Sequence, residues 1–360
     1  MSRAFNFNAG PAALPLEVLE IAQKELTDFG GTGMSIMEHS HRGKAYDAVH
    51  AEAVANMAKL LGATDDYQVL FLQGGASLQF AQVPMNLLLP GQTADYVTTG
   101  EWAGKAIKEA KKIGNVNILA DTAKDIPTTM PDYDALKYTP GAAYVHVTSN
   151  ETIAGTQMKK FPRTAAPLVA DMSSDILSRR FDVRRFGLIY AGAQKNLGPA
   201  GLAVVVLRKD LAERCPPTVP AFFRYRTHLE ENSLYNTPPC FAIYLLALTT
   251  RWLLKQGGVD GIERRNRAKA AKLYAAIDGS GGYYRGTADL AWRSDMNLTF
   301  RLPTEDLEER FAKEASAAGF KQLKGHRSVG GLRASIYNAF PEEGVDALIA
   351  FMREFQAKNG

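Results

Sequence analysis

Apolar residues in the first two thirds of the chain follow two alternating patterns. Short runs rich in β-branched and aromatic residues predict buried strands, and the segments between them have apolar positions at helical spacing. The predicted strands cover residues 69–73, 94–99, 115–120, 142–149, 168–172, 188–193 and 202–207. Helices are predicted at residues 77–88 and 102–113. Because strands that alternate with helices join through right-handed crossovers, the pattern predicts an α/β fold with a mostly parallel sheet of seven strands.

A different pattern begins near residue 257. Thr237-Pro238-Pro239 predicts the start of a helix with Thr237 as its capping residue, and the glycines at 257 and 258 predict its end. Further on, the predicted helices cover residues 262–277, 305–318 and 343–355, and the predicted strands cover 296–302 and 332–337. We therefore expect a large domain over residues 1–256, with an N-terminal arm at 1–15, and a smaller C-terminal α/β domain over 257–360.

Composition fits that organisation and limits the classes of partner. At about 150 residues per domain, a chain of 360 residues agrees with two domains, and 46% apolar residues are enough for a core. Its net charge of +4 is too small a bias for a nucleic-acid or membrane surface. Two cysteines fit a reducing compartment, no apolar run approaches the ~18 residues of a membrane span, and residues 1–10 lack the pattern of a signal peptide. We expect a soluble, cytoplasmic protein.

Small residues follow the first predicted strand. The segment Gln73-Gly74-Gly75-Ala76-Ser77 runs from that strand into a helix. Small residues allow the backbone to come close to an anion, and the free N–H groups of the helix's first turn can then bind a phosphate. The same segment also suits a tight turn with Ser77 as a cap, and by itself it leaves both interpretations open.

Two ionisable residues follow neighbouring predicted strands. Asp171 ends the strand at 168–172, where it could meet a protonated ring nitrogen, hold a metal ion or cap a helix. Lys195 follows the strand at 188–193 among small residues. Most lysines are solvated surface charges, but desolvation at a sheet edge would lower the pKa of this amine and make it a nucleophile. An anion site, an acid and a lysine facing one ring are what pyridoxal phosphate requires, and Trp102 could stack on that ring or be an ordinary buried aromatic residue.

Seven blocks of sequence then resemble a known family. They are residues 7–12, 40–44, 150–152, 191–201, 235–239, 325–327 and 330–338. In this order, over nearly the whole chain, they are similar to the class-V aminotransferases of fold type I, and within them to enzymes that transaminate phosphoserine. The resemblance implies the fold type I architecture of pyridoxal-phosphate transferases, with the large domain holding the cofactor.

The resemblance implies a role at the cofactor ring for each of five residues. Lys195 would bond to the aldehyde carbon of pyridoxal 5'-phosphate and act as the catalytic base, and Asp171 would pair with the ring nitrogen. Trp102 would stack on the ring, and Thr152 and Gln194 would contact the ring and its substituents.

It also implies a shared phosphate site. Ala76 and Ser77 would hold the cofactor phosphate, although the segment 76–78 is less glycine-rich than is usual in the family. Asn236 and Thr237 would complete the site from the other subunit of a homodimer. The helix predicted to begin at Thr237 agrees with such a role, since helix N-termini attract anions.

For the substrate, the resemblance implies that Arg333 binds the α-carboxylate. His41 and Arg42, with His326 and Arg327 from across the dimer, would bind the distal phosphate of phosphoserine or the γ-carboxylate of glutamate. The implied reaction exchanges the amino group between 3-phosphoserine and 2-oxoglutarate in serine biosynthesis. Relatives in pyridoxine biosynthesis also use 4-phosphohydroxythreonine, and the sequence leaves that substrate open.

Three other interpretations are weaker. A lyase of the same group would need a nucleophilic cysteine on a mobile loop, but Cys240 lies in an apolar segment and Cys215 precedes two prolines. A non-catalytic relative would be expected to lack Lys195 or Asp171. His39 and His41 have no third ligand at a useful spacing, so no metal site is predicted.

Overall fold

The computed structural model describes residues 3–360. The strands are β1 (Phe5–Asn6), β2 (Tyr67–Gln73), β3 (Thr93–Thr98), β4 (Asn115–Asp121), β5 (Val145–Thr148), β6 (Asn150–Glu151), β7 (Thr156–Gln157), β8 (Leu168–Asp171), β9 (Leu188–Gly192), β10 (Leu202–Arg208), β11 (Arg285–Gly286), β12 (Asn297–Arg301), β13 (Phe320–Lys321) and β14 (Leu332–Ser335). The α-helices are α1 (Leu16–Glu25), α2 (Lys44–Leu61), α3 (Gly75–Leu87), α4 (Glu101–Ala110), α5 (Tyr225–Glu230), α6 (Cys240–Lys255), α7 (Gly258–Asp278), α8 (Glu305–Ala317) and α9 (Glu342–Asn359).

The predicted seven-stranded sheet is confirmed. Its strand order is β2-β10-β9-β8-β5-β3-β4. Strand β10 is antiparallel to both of its neighbours, whereas the pairs from β9 to β4 are parallel. The carboxyl ends of β8 and β9 therefore lie side by side at one edge, where α/β sheets bind ligands.

Helices cover both faces of this sheet. On one face, Val147 of β5 packs in a cluster with Met57 of α2 and Leu246 of α6. On the other, Tyr190 of β9 packs in a cluster with Phe80 of α3. Burial on both faces explains why β5 and β9 appear in the sequence as nearly continuous apolar runs.

The C-terminal part of the chain has a separate apolar core. It is formed around the three-stranded sheet β11-β12-β14 and includes residues of α7, α8 and α9. Phe7 is part of this core, and β1 pairs in parallel with β13, so the N-terminal arm packs on the C-terminal unit. The division into domains at residue 257 stays a prediction.

Sequence analysis missed helices α1, α2 and α5 and misplaced the start of α6. The longest of the three missed helices is α2, although its buried positions Val49, Ala53 and Met57 follow helical spacing. The prediction that Thr237 caps a helix is wrong: α6 begins at Cys240, and its N-cap is Pro239, whose side chain makes no capping hydrogen bond. The N–H of Cys240 donates instead to the carbonyl of Pro238 at 2.8 Å. Within residues 3–360, no helix is long and apolar enough to cross a membrane.

Candidate active site

A cavity of about 520 Å³ opens at the carboxyl ends of β5, β8 and β9. The N-terminal arm, the start of α3, the start of α4 and Arg333 of β14 close its other sides. Nine of the predicted site residues line it: Ala76, Ser77, Trp102, Thr152, Asp171, Gln194, Lys195, His326 and Arg333.

Lys195 lies just after β9 and is 9% exposed. Burial lowers the pKa of its amine to about 8, although the negative charges of Asp171 and Glu151 act in the opposite direction. Gly10 lies against its side chain: φ is +151° there, and a Cβ atom at Gly10 would be 3.5 Å from Cγ of Lys195. The chain therefore presents a desolvated amine that is available as a nucleophile near neutral pH.

Asp171 is held in place by the residues that follow it. Its Oδ1 atom accepts hydrogen bonds from the backbone N–H of Ser173 at 2.9 Å and from the Ser173 hydroxyl at 2.6 Å. The same hydroxyl accepts a hydrogen bond from the N–H of Gly192, and this bond links the ends of β8 and β9. Burial raises the pKa of Asp171, so a cationic partner such as a protonated ring nitrogen would stabilise its charged form.

Trp102 lies in the first turn of α4 with its ring beside the lysine. Its indole N–H donates to the Thr152 hydroxyl at 2.8 Å. The Nζ atom of Lys195 lies 5.4 Å from the centre of the indole ring. A planar group bonded to Lys195 would thus lie next to a fixed aromatic face.

The start of α3 forms the anion-binding side of the cavity. Gly74 and Gly75 have φ values of +90° and +69°, a conformation that favours glycine. The N-cap residue of this helix is Gly74, which has no side chain to cap it, and Ala76 and Ser77 of its first turn line the cavity. The first N–H groups of a 13-residue helix are thus free to bind a phosphate.

Arg333 and His326 provide positive charge on the C-terminal side. The Nη1 atom of Arg333 donates to the carbonyl of Thr152 at 3.1 Å, while its buried Nε atom has no acceptor among the described residues. Burial, followed by the positive charge of Arg333, lowers the pKa of His326. A guanidinium with a free donor in a cavity is well suited to a carboxylate.

Five predicted site residues lie outside this cavity: His41, Arg42, Asn236, Thr237 and Arg327. Arg42 and Arg327 are exposed. A terminal nitrogen of Arg42 lies 3.5 Å from the carbonyl of Leu234, so the segment around 42 packs near the segment that carries Asn236. A single chain therefore does not bring these five residues to Lys195.

Sequence analysis missed several residues that line the cavity. The most informative is Thr148, which is paired with Asp171 across β5 and β8. Its buried hydroxyl has no hydrogen-bond partner in the described part of the chain. Asn8, Phe80 and Ser173 also line the cavity. Thr148 could have been found from its position at the end of a predicted strand, whereas Asn8 and Phe80 are brought there by tertiary packing.

Comparison with known proteins agrees with this geometry. The family model for class-V aminotransferases matches residues 4–348. A phosphoserine aminotransferase of Geobacillus kaustophilus is 58% identical over 358 residues, covering 99% of each chain. A solved phosphoserine aminotransferase from Bacillus circulans subsp. alkalophilus is 56% identical, with a TM-score of 0.98 over 99% of each chain. A PLP-bound phosphoserine aminotransferase from Trichomonas vaginalis is 41% identical, with a TM-score of 0.93 over 98% of this chain and 100% of the other.

The fold and the site define a pyridoxal-phosphate-dependent transferase. The chain belongs to the class-V aminotransferase family and has its fold type I architecture. Its cofactor is pyridoxal 5'-phosphate, and the donor set fits that group: a desolvated lysine, a buried carboxylate and a helix N-terminus line one cavity.

Proposed function

We propose that the protein transfers the amino group between 3-phosphoserine and 2-oxoglutarate, giving 3-phosphohydroxypyruvate and glutamate, as a step in serine biosynthesis. The observation that carries the proposal is that Arg333, whose Nε atom has no acceptor among the described residues, lines the same cavity as Lys195. A guanidinium there suits the α-carboxylate that every amino-acid substrate has. The full-length similarity to phosphoserine aminotransferases supports the choice of phosphoserine.

The cofactor would be held by residues from several elements. Lys195 would bond to its aldehyde carbon, Asp171 would keep its ring nitrogen protonated, and Trp102 would cover one face of the ring. Thr152 and Gln194 would contact the ring and its substituents. When bound, the cofactor supplies an electron sink that stabilises negative charge at the substrate's α-carbon.

Two residues would hold the phosphate of the cofactor from this chain. Ala76 would donate its backbone N–H and Ser77 its N–H and hydroxyl, in the first turn of α3. The positive end of the helix dipole favours the phosphate charge at this point.

Proton transfer would be the task of Lys195. Once its amine is free, it can remove the α-proton of the amino-acid substrate and return a proton to the cofactor, acting first as a base and then as an acid. Burial lowers the pKa of this amine to about 8, which places it near the operating pH that such a role favours. Closure by the N-terminal arm at Gly10 would keep water from the amine.

The substrate's two negatively charged ends would be bound separately. Arg333 would bind the α-carboxylate, while His41, Arg42, His326 and Arg327 would bind the distal phosphate or the γ-carboxylate of glutamate. Imidazole and guanidinium groups suit both oxyanions, so one pocket can accept both substrates in turn.

A homodimer would complete the site. Asn236 and Thr237 would reach the cofactor phosphate of the other subunit, and residues 41, 42, 326 and 327 would meet across the interface. The exposed apolar side chains Met34, Met37 and Tyr235 near these segments support an interface there.

The test of the proposed function is a panel of amino donors in single-turnover reactions. Phosphoserine should convert the enzyme-bound cofactor at least about a hundredfold faster than serine, because losing two or more charge-assisted contacts costs several kcal/mol. Replacing His326 and Arg327 together with alanine should remove most of this preference. Equal rates with phosphoserine and serine would refute the substrate assignment.

A further inference from the structure

Glu151 is a fully buried carboxylic acid that the proposed reaction does not use. It ends β6 and is 0% exposed. Its Oε1 atom accepts hydrogen bonds from the Thr99 hydroxyl and from the backbone N–H of Ala103, both at 3.3 Å. Its Oε2 atom has no hydrogen-bond partner in the described part of the chain. The groups that compensate for the desolvation of this acid are therefore Thr99, just before α4, and Ala103 in the first turn of α4.

Helix α4 has no capping side chain of its own. Its N-cap is Gly100, which makes no side-chain hydrogen bond. A Cβ atom at Gly100 would lie 2.7 Å from the carboxyl carbon of Glu151, so a glycine at this position leaves the space that the carboxyl group fills. A carboxylate at the N-terminus of a helix satisfies free N–H groups and interacts favourably with the helix dipole. Glu151 therefore caps α4 from another element.

The capped turn carries the aromatic face of the cavity. Trp102 follows Glu101 in the first turn of α4, and its indole N–H is bound by Thr152, the neighbour of Glu151. Consecutive residues thus hold the backbone and the ring of one turn. The preceding residue, Asn150, is itself fixed by hydrogen bonds to Ser174 and Asn297, each at 2.8 Å.

We propose that Glu151 is a positioning residue for the cofactor: by capping α4 from β6, it keeps the Trp102 ring where the cofactor ring stacks. This inference rests on the proposed stacking of the cofactor against Trp102. It adds a residue that touches neither substrate nor cofactor and acts through a helix end.

The charge of Glu151 gives this role a measurable electrostatic signature. The ionisable groups that interact with it are Asp171, Lys195 and Tyr133. Burial, followed by the charge of Asp171, raises the pKa of Glu151 to about 7, so its negative charge is present at pH 8 and is lost as the pH falls through 7. Above pH 7 that charge favours the protonated form of the nitrogen of Lys195.

The experiment compares three variants of the full-length protein. Glu151→Ala removes both the cap and the charge. Glu151→Gln keeps an oxygen acceptor for Ala103 but removes the charge. Glu101→Gln is the matched control, because Glu101 lies on the same helical turn, is exposed and forms a surface ion pair with Lys105 at 3.5 Å.

The first measurement is the emission of Trp102 in the cofactor-free protein, taken as the difference between each protein and its Trp102→Phe counterpart. Glu151→Ala should shift this emission to the red and weaken cofactor binding by about tenfold, the effect of ~1.4 kcal/mol. Glu151→Gln should retain most of the native emission, and Glu101→Gln should match the parent protein. If Glu151→Ala binds the cofactor and emits like Glu101→Gln, the inference is wrong.

The second measurement is the absorbance of the cofactor–lysine chromophore against pH. Because the negative charge is lost, Glu151→Gln should move the transition to lower pH by an amount that Glu101→Gln does not reproduce. This second measurement does not use Glu151→Ala, so it can be made even if that variant does not fold. An unchanged transition in Glu151→Gln would overturn the electrostatic part of the role. Failure of the substrate assignment would leave both measurements unaffected, since neither uses a substrate.

Discussion

The Nζ atom of Lys195 lies 5.4 Å from the centre of the Trp102 ring, and the indole N–H is held by Thr152. The amine and the aromatic ring are carried by different elements, since Lys195 follows β9 and Trp102 lies on α4. We infer that the distance between them sets the place of the cofactor ring.

Trp102→Ala should therefore weaken binding of the cofactor by roughly tenfold, since an aromatic stacking pair contributes about 0.5–1.5 kcal/mol beyond the area that it buries. Trp102→Phe should restore most of this affinity, and titration of the cofactor-free protein measures both. Lys105→Met is the control, because the amine of Lys105 also lies over the Trp102 ring, at 4.5 Å, but the Lys105 side chain is half exposed. Unchanged affinity for the cofactor in Trp102→Ala would contradict the proposal that the cofactor ring stacks on Trp102.

The reactivity of Lys195 should depend on pH in a defined direction. Burial lowers the pKa of its amine to about 8, and only the neutral amine attacks an aldehyde. The rate at which the cofactor-free protein bonds to pyridoxal phosphate should therefore rise with pH, with a midpoint near 8. In Asp171→Asn, the loss of a negative charge should move this midpoint to lower pH. In the parent protein, a midpoint near 10.5, the usual pKa of lysine, would show that the amine is solvated and would contradict this account.

Stability should depend strongly on one buried lysine of the C-terminal unit. The Nζ atom of Lys269 donates to the carbonyls of Ile336, Tyr337 and Phe340 at 2.7–3.0 Å. Lys269→Met would leave these acceptors without that donor, so we expect a loss of about 3 kcal/mol in the free energy of unfolding. Chemical denaturation measures this loss.

Lys272→Met on the same helix is the matched control. Lys272 is exposed and pairs with Glu342 and Asp346, and surface ion pairs contribute about 1 kcal/mol or less. A similar loss in both variants would show that the three carbonyl contacts contribute no more to stability than a surface pair.

The proposed shared site predicts complementation between two inactive variants. Lys195→Ala lacks the catalytic amine, and Asn236→Ala/Thr237→Ala lacks the part donated to the partner. When equal amounts are denatured and refolded together, half of the dimers are hybrids, and one of the two sites in each is intact. Activity should therefore return to about one quarter of that of the parent protein. No recovery in a mixture shown to contain hybrids would place all essential groups in one chain.

Much of the fold follows from local sequence pattern. The inner strands β5, β8, β9 and β10 are buried almost throughout, so their positions are evident as apolar runs, whereas the edge strand β4 is largely exposed. Thr237 was wrongly predicted as a cap because the prediction rested on the cap propensity of a single residue. Two consecutive prolines follow it, and the helix begins only after them, at Cys240.

The candidate site was predictable where its residues follow strands. Asp171 and Lys195 lie at strand ends, and topology brings such ends together. Thr148 also ends a strand and could have been found in the same way. Glu151 was not evident, because its role depends on the groups that surround it. The roles of the five residues that lie away from the cavity came from family resemblance alone, and the proposed homodimer would bring them to it.

The most direct test of the account is to reduce the cofactor-loaded protein with borohydride and to map the modified peptide by mass spectrometry. We predict a yellow protein in which reduction fixes the cofactor to Lys195 and to no other lysine, and in which Lys195→Ala is not modified. A colourless protein, or a cofactor fixed to a different lysine, would contradict the central claim that Lys195 holds the cofactor.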